Sequence, residues 1–248
     1  MNILALDCST SVLGIGVCRK GSQDPAPESR TRGPKHPYAA SNGHSPIPGF
    51  VQLHIDAGYR HAERIIRGIE YCCEEAGIEP QALDLLACTG GPGSFTGLRI
   101  AASTIKGLAL SLQKPHIFVS TLDAFAYAKE ALAPVVVPLI DAKRGHFYFA
   151  VYQHGKRISG PFDAPLSAVL ESVREADTVL FTGPDADLFE ETAREHEGWS
   201  CLPEKNRSAV YQTLLLAEPL YKAQGPAAPD EGPEYLRLSD AEEARNKA

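Results

Sequence analysis

Positive charge is scarce in this 248-residue chain: 24 Lys and Arg stand against 31 Asp and Glu, a formal net charge of −7 with a pI of about 5.6. A protein that grips nucleic acid unaided neutralises many phosphates with basic side chains. Any RNA would therefore have to be held mainly by a partner. Long apolar runs are also missing. The longest, residues 100–112, is interrupted by Lys106 and falls short of the roughly 20 residues that cross a bilayer. The chain enters a strand at once, with no basic and then apolar leader, so the expected location is the cytoplasm, with no membrane association.

Motifs for common chemistries are missing too. The six cysteines, Cys8, Cys18, Cys72, Cys73, Cys88 and Cys201, form no CxxC pair and sit mostly in apolar segments, which reads as reduced structural thiols. None of the eight histidines forms an HxxxH or HExxH pair, so neither zinc nor iron is expected. No GxSxG elbow supports a hydrolase. The expectation is a chain with no cofactor, no metal and no conventional active site of its own.

What is present is an ordinary globular composition, 44% apolar and 22% charged, with enough length for two lobes. Apolar runs predict strands at 1–7, 12–19, 50–55, 83–89, 116–119, 135–139, 147–152 and 178–182. Three-and-four spacing predicts helices at 60–77, 97–112, 122–132, 166–176 and 209–223, and another ending near 197. Residues 22–49, rich in Pro, Gly, Ser and charge, read as a long loop inserted between early strands. A Pro/Gly-rich segment at 225–233 leads into a charged, fraying tail. The strand, acidic turn, strand order of residues 1–19 recurs at 138–152, which suggests a duplicated α/β fold. The expected lobes are 1–115 and 116–248.

The most distinctive stretch is Gly90-Gly-Pro-Gly-Ser-Phe-Thr-Gly-Leu-Arg99, lying between a predicted strand and helix. Such a turn can aim backbone amides at an anion or simply make a sharp structural corner; both readings stand. Asp7, with Ser9, Thr10 and the neighbouring hydroxyl of Ser11, sits at a strand-end turn. There a carboxylate can hold a hydrated metal or stabilise its own backbone. Asp141 stands at the matching place in the second half. Asp7, Ser9, Thr10, Gly91, Gly93, Ser94 and Asp141 are therefore the candidates for a residual nucleotide site. On the helix at 97–112, Ser103, Gly107 and Ser111 recur every fourth residue beside an apolar face. Small side chains admit a second helix at the short end of the usual interaxial range of about 8–10 Å. Either the helix at 60–77 of the same chain or a partner's helices would fill that groove.

These residues resemble the TsaB family. The resemblance is carried by Gly91-Pro-Gly-Ser-Phe-Thr-Gly-Leu-Arg99 with Ile100 and Lys106-Gly-Leu-Ala109, by Ile3-Leu-Ala-Leu-Asp-Cys-Ser-Thr10, by His61-Ala-Glu63, by Ile140-Asp-Ala-Lys-Arg144 and by Tyr235-Leu-Arg237. It implies an actin-like fold of the ASKHA, RNase H-like type. It implies a non-catalytic scaffold in the complex that attaches threonylcarbamoyl to N6 of adenosine 37 in tRNA. The implied partners are a TsaD-type catalytic subunit and a TsaE-type ATPase, with tRNA reached only through the complex. A surface made for a paralogue can also accept a copy of itself, so the isolated chain is either a monomer or a homodimer. The implied interface includes His61, Glu63, Arg64, Arg67, Ile100, Ser103, Thr104, Gly107 and Ser111. Two departures are the insertion at 22–49 and Ala62, which stands where the family usually has serine. The competing readings are a small-metabolite kinase or ATPase built on Asp7, Asp141 and the loop at 90–97, and a peptidase, for which no site constellation is visible.

Overall fold

In the computed structural model, residues 1–19, 49–58, 60–205 and 207–237 are described. Apart from Gly49, the loop expected at 22–49 lies outside them, as do residues 238–248 of the tail.

The opening apolar run forms β1 (Ile3–Asp7), central in a five-stranded sheet with β2 (Val12–Cys18), β3 (Phe50–Asp56), β4 (Leu85–Thr89) and β5 (His116–Val119). The order is β3-β2-β1-β4-β5. The first three strands are antiparallel neighbours, and β4 and β5 run parallel to β1. Every residue of β1 is buried because both faces are covered. Leu4 and Leu6 meet α1 (His61–Ala76) and α2 (Phe95–Leu112) in one core. Ile3 and Ala5, pointing the other way, meet α6 (Val210–Gln224) in another. The period-two alternation of a strand thus builds two cores from four consecutive residues.

The second sheet repeats the pattern with β6 (Val135–Lys143), β7 (His146–Gln153), β8 (Lys156–Pro165), β9 (Val179–Gly183) and β10 (Trp199–Pro203), in the order β10-β9-β6-β7-β8. Taken in chain order within each half, both sheets read 3-2-1-4-5, antiparallel on one side of the central strand and parallel on the other. The duplication expected from residues 1–19 and 138–152 therefore covers ten strands. The helix α4 (Leu166–Val173) and α5 (Glu190–Arg194) cover the outer face of this sheet. The inner face shares a core with α3 (Thr121–Ala126) and α6, so that core lies between the sheets.

Three expectations change. The helix expected over 122–132 breaks after Ala126, because Ala128 adopts φ 59° and the chain continues as a 3-10 turn at Lys129–Ala131. The helix expected to reach 197 is a 3-10 turn at Ala186–Phe189 followed by the short α5. The edge strands β8 and β10 were not anticipated. Both contain proline, which a sheet tolerates at its edges but which mutes the strand signal.

Candidate functional site

A cleft of about 1000 Å³ opens between the two sheets, lined by residues of the β1–β2 turn, the head of α2 and the β6–β7 turn. Of the seven candidates for a nucleotide site, Ser9, Thr10, Gly93, Ser94 and Asp141 line it. Asp7 does not. Its side chain is fully buried, with one oxygen accepting from the Ser9 amide (2.9 Å), the Ser9 hydroxyl (2.6 Å) and the Thr89 hydroxyl (2.9 Å). The other oxygen accepts from the Ala209 amide at 2.6 Å, at the foot of α6. A carboxylate that accepts from four protein donors serves the fold, and a hydrated metal would have to displace some of them.

Asp141 is also engaged. It accepts from the Lys143 amide and pairs with the Lys143 ammonium, both at 2.7 Å. Burial opposes its ionisation, but the hydrogen bonds and charge of Lys143 outweigh that and hold the carboxyl below its ordinary value. Asp185, which accepts from the Asp141 amide at 2.8 Å, is pushed up by burial.

The glycine-rich turn is occupied in the same way. The Ser94 amide donates to the Ser9 carbonyl (2.7 Å), and the Ser94 hydroxyl caps α2 by accepting from the Gly97 amide (3.3 Å). A side-chain carbon at Gly93 would lie 2.6 Å from the Ser9 carbonyl oxygen, and one at Gly97 would collide with the Cys8 carbonyl oxygen. Gly91, at φ 108°, faces the backbone of Glu234. The turn spends its special residues on docking α2 against β1 and on admitting a later segment of chain.

The proposed interface residues fall on an outer face formed by α1 and α2. Glu63, Arg64 and Arg67 are exposed on α1. Ser103, Gly107 and Ser111 are exposed on α2, with Ile100 and Thr104 half-buried beside them. A shallow groove runs between the helices, lined by Ala62, Phe95, Thr96, Arg99, Ile100, Ser103 and Thr104. Ile66 (49% exposed) and Leu110 (83%) add apolar surface to this face. A carbon added at Gly107 meets nothing within 4 Å, so among the described residues the small-residue stripe is not covered by its own chain. His61 is the exception in the set. It is buried (5% exposed), lines the cleft, and its Nε2 has no partner among the described residues. Burial lowers its pKa, against the opposing pull of Asp7 and the Thr10 backbone.

Several partners escaped sequence reasoning. The bond from Ala209 to Asp7 links positions 202 apart, and the buried pair Lys129–Glu204 (2.7 Å), with the Thr182 hydroxyl donating to Glu204 at 2.9 Å, joins three segments. Arg237 was noted within a motif, but its partner Asp163 carried no signal.

Doubled 3-2-1-4-5 sheets around a cleft, with helices on both faces, define an actin-like protein of the ASKHA type. Residues 54–196 match the family described as TsaD: tRNA N6-adenosine threonylcarbamoyltransferase, and the chain belongs to that family. Its resemblance to the TsaB proteins extends from end to end. It is 27% identical to the tRNA threonylcarbamoyladenosine biosynthesis protein TsaB of Bacillus subtilis over 98% of this chain and 96% of that one. To the protein of the same name in Escherichia coli it is 37% identical, over 42% of this chain and 47% of the relative. A tRNA N6-adenosine threonylcarbamoyltransferase of Erythrobacter litoralis is 32% identical over 46% of this chain and 33% of its own length. Among solved structures, YeaZ from Pseudomonas aeruginosa superposes with a TM-score of 0.70 at 22% identity, covering 95% of this chain and 99% of that one, a likeness of fold.

Proposed function

We propose that this chain is a non-catalytic subunit of the assembly that transfers a threonylcarbamoyl group to N6 of adenosine 37 in tRNA, and that it docks through α1 and α2 on the catalytic, TsaD-type paralogue. The observation that carries the reading is the uncovered face of Ser103, Gly107 and Ser111, bordered by Ile66 and Leu110. Close approach of a partner helix fits that shape, and the charges of Glu63, Arg64 and Arg67 supply a polar rim. Support for the absence of catalysis comes from Asp7, which is fully buried, accepts from four protein donors and does not line the cleft. The same feature weighs against a kinase or ATPase built on Asp7.

In this reading a TsaE-type ATPase joins the pair, tRNA is held by the assembly rather than by this acidic chain, and the site of action is the cytoplasm. Among the described residues no helix is long and apolar enough to cross a membrane. A second copy of the chain would use the same face in the absence of the paralogue. Residues 1–115 and 116–248 are the two lobes, with α6 from the second packing on the sheet of the first.

Reconstitution tests the proposal. Transfer to tRNA by the cognate catalytic subunit and the other components is expected to require this chain, and the chain alone is expected to transfer nothing. Transfer at an undiminished rate without it, or transfer by the chain alone, would overturn the reading.

A further inference from the structure

After α6 the chain does not stop at the first sheet. The Ala227 amide donates to the His116 carbonyl on β5 (2.8 Å), and the Glu234 amide donates to the Gly90 carbonyl (2.7 Å), just past β4. The next residues cross the mouth of the cleft, which Glu234, Tyr235, Leu236 and Arg237 all line. Tyr235 rests on Phe95 at the head of α2, with ring centroids 4.8 Å apart, and Arg99 lies over the other partner of that pair, 5.0 Å from the Phe95 centroid. Two residues on, Arg237 reaches the second sheet. It grips both oxygens of Asp163 on β8 (2.7 and 2.6 Å) and donates to the Ala142 carbonyl on β6 (2.7 Å). His146 Nδ1 meets the same carboxylate at 2.9 Å.

The Arg237–Asp163 pair is a two-pronged, charge-assisted contact, 19% and 15% exposed, so water and salt screen it less than a surface ion pair. One short segment is thus fastened on both sides of the cleft, by hydrogen bonds to the second sheet and by a hydrogen bond and an aromatic contact to the turn and helix that follow β4. The first attachment also explains Gly91. A side-chain carbon there would collide with the Glu234 carbonyl oxygen.

Phe95 is where this segment meets the docking face. It lines the cleft on one side and the groove between α1 and α2 on the other, together with Thr96 and Ile100. Its ring contacts both Tyr235 and Arg99. We infer that residues 234–237 form a latch across the cleft, and that Tyr235 and Arg237 are positioning residues for the partner-binding groove, acting through Phe95. The groove's shape then depends on the latch, and a partner seated in the groove tightens the latch in return. The partner half of this inference rests on the proposed function; the latch itself does not.

Hydrogen exchange of the full chain, alone and with the cognate catalytic subunit, tests both parts. In the isolated chain, Arg237→Ala and Tyr235→Ala are each expected to speed exchange at least about tenfold in peptides covering 228–237, and to speed exchange in the first turn of α2 as well. Tyr235→Phe, which keeps the ring contact, exchanges more slowly than Tyr235→Ala. Arg237→Lys, which loses the fork, does not. With the catalytic subunit added, the two alanine variants bind at least about threefold more weakly, and Tyr235→Phe binds more tightly than Tyr235→Ala. A latch that comes free while α2 exchange and affinity stay unchanged would overturn the coupling. So would an Arg237→Ala chain whose 228–237 region stays protected. If the natural chain fails to bind the subunit, the proposed function is wrong, and the exchange pattern of the isolated variants still decides whether the latch positions Phe95.

Discussion

The carboxylate of Asp7 accepts a hydrogen bond from the backbone amide of Ala209, 202 positions later in the chain, at 2.6 Å. The acidic residue at the end of the first strand thereby anchors the start of α6, which packs across the sheet that has this strand at its centre. A position that reads in sequence as a metal or phosphate ligand serves here to join the two ends of the fold.

Asp7→Asn is therefore expected to cost stability. The amide nitrogen of asparagine would face at least one of the four donors, leaving a buried repulsive contact and an unpaired donor. The loss is expected to be about 2–4 kcal/mol by urea unfolding. Unchanged stability would show that the four contacts do not hold the carboxylate in place.

Lys129 and Glu204 form a buried ion pair, 7% and 8% exposed, with Lys129 also donating to the Phe125 carbonyl at 2.5 Å. Lys129→Met strands a buried carboxylate and is expected to cost about 3–5 kcal/mol. Adding Glu204→Leu removes the orphaned charge and should recover much of that loss. A double-mutant cycle checks this, and strictly additive losses would contradict it.

Two glycines on α2 make opposite predictions. Gly97→Ala drives a methyl into the Cys8 carbonyl and is expected to destabilise by about 1–3 kcal/mol. Gly107→Ala points into open space on an exposed helical position and is expected to stabilise by about 0.5–1 kcal/mol, since alanine restricts the unfolded chain. Thermal denaturation of the two variants side by side measures both signs.

Burial lowers the pKa of His54, His61 and His116 in the fold from an ordinary 6.5. Below that value the unfolded chain binds more protons than the folded one. The stability due to these neutral rings is therefore full above about pH 6.5 and declines as the pH falls through and below it. His61→Gln is expected to flatten the decline between pH 7 and pH 5, and equal slopes in the two proteins would contradict the assignment.

Local pattern made much of this legible. The apolar run of β1, the three-and-four spacing of α1 and the closing Gly77, which adopts φ 63° at its C-terminal cap, all follow from short-range rules. The repeat of strand, acidic turn and strand anticipated the doubled sheet. Edge strands β8 and β10 escaped because proline and weak alternation leave them without a periodic signal. The site was half legible. The Ser103, Gly107 and Ser111 stripe can be read from one helix, but its exposure depends on where α1 packs. His61 opens that same helix and turns inward. Asp7 to Ala209, Lys129 to Glu204 and Arg237 to Asp163 are pairings between distant segments, which a single sequence does not encode as adjacency.

The most direct test is calorimetric titration of the cognate catalytic subunit with this chain and with Gly107→Leu, whose side chain would fill the space now open on α2. The natural chain is expected to bind at micromolar concentration or below, and the folded variant at least about tenfold more weakly. Equal affinity for both, or no complex with the natural chain, would contradict a docking role for this face.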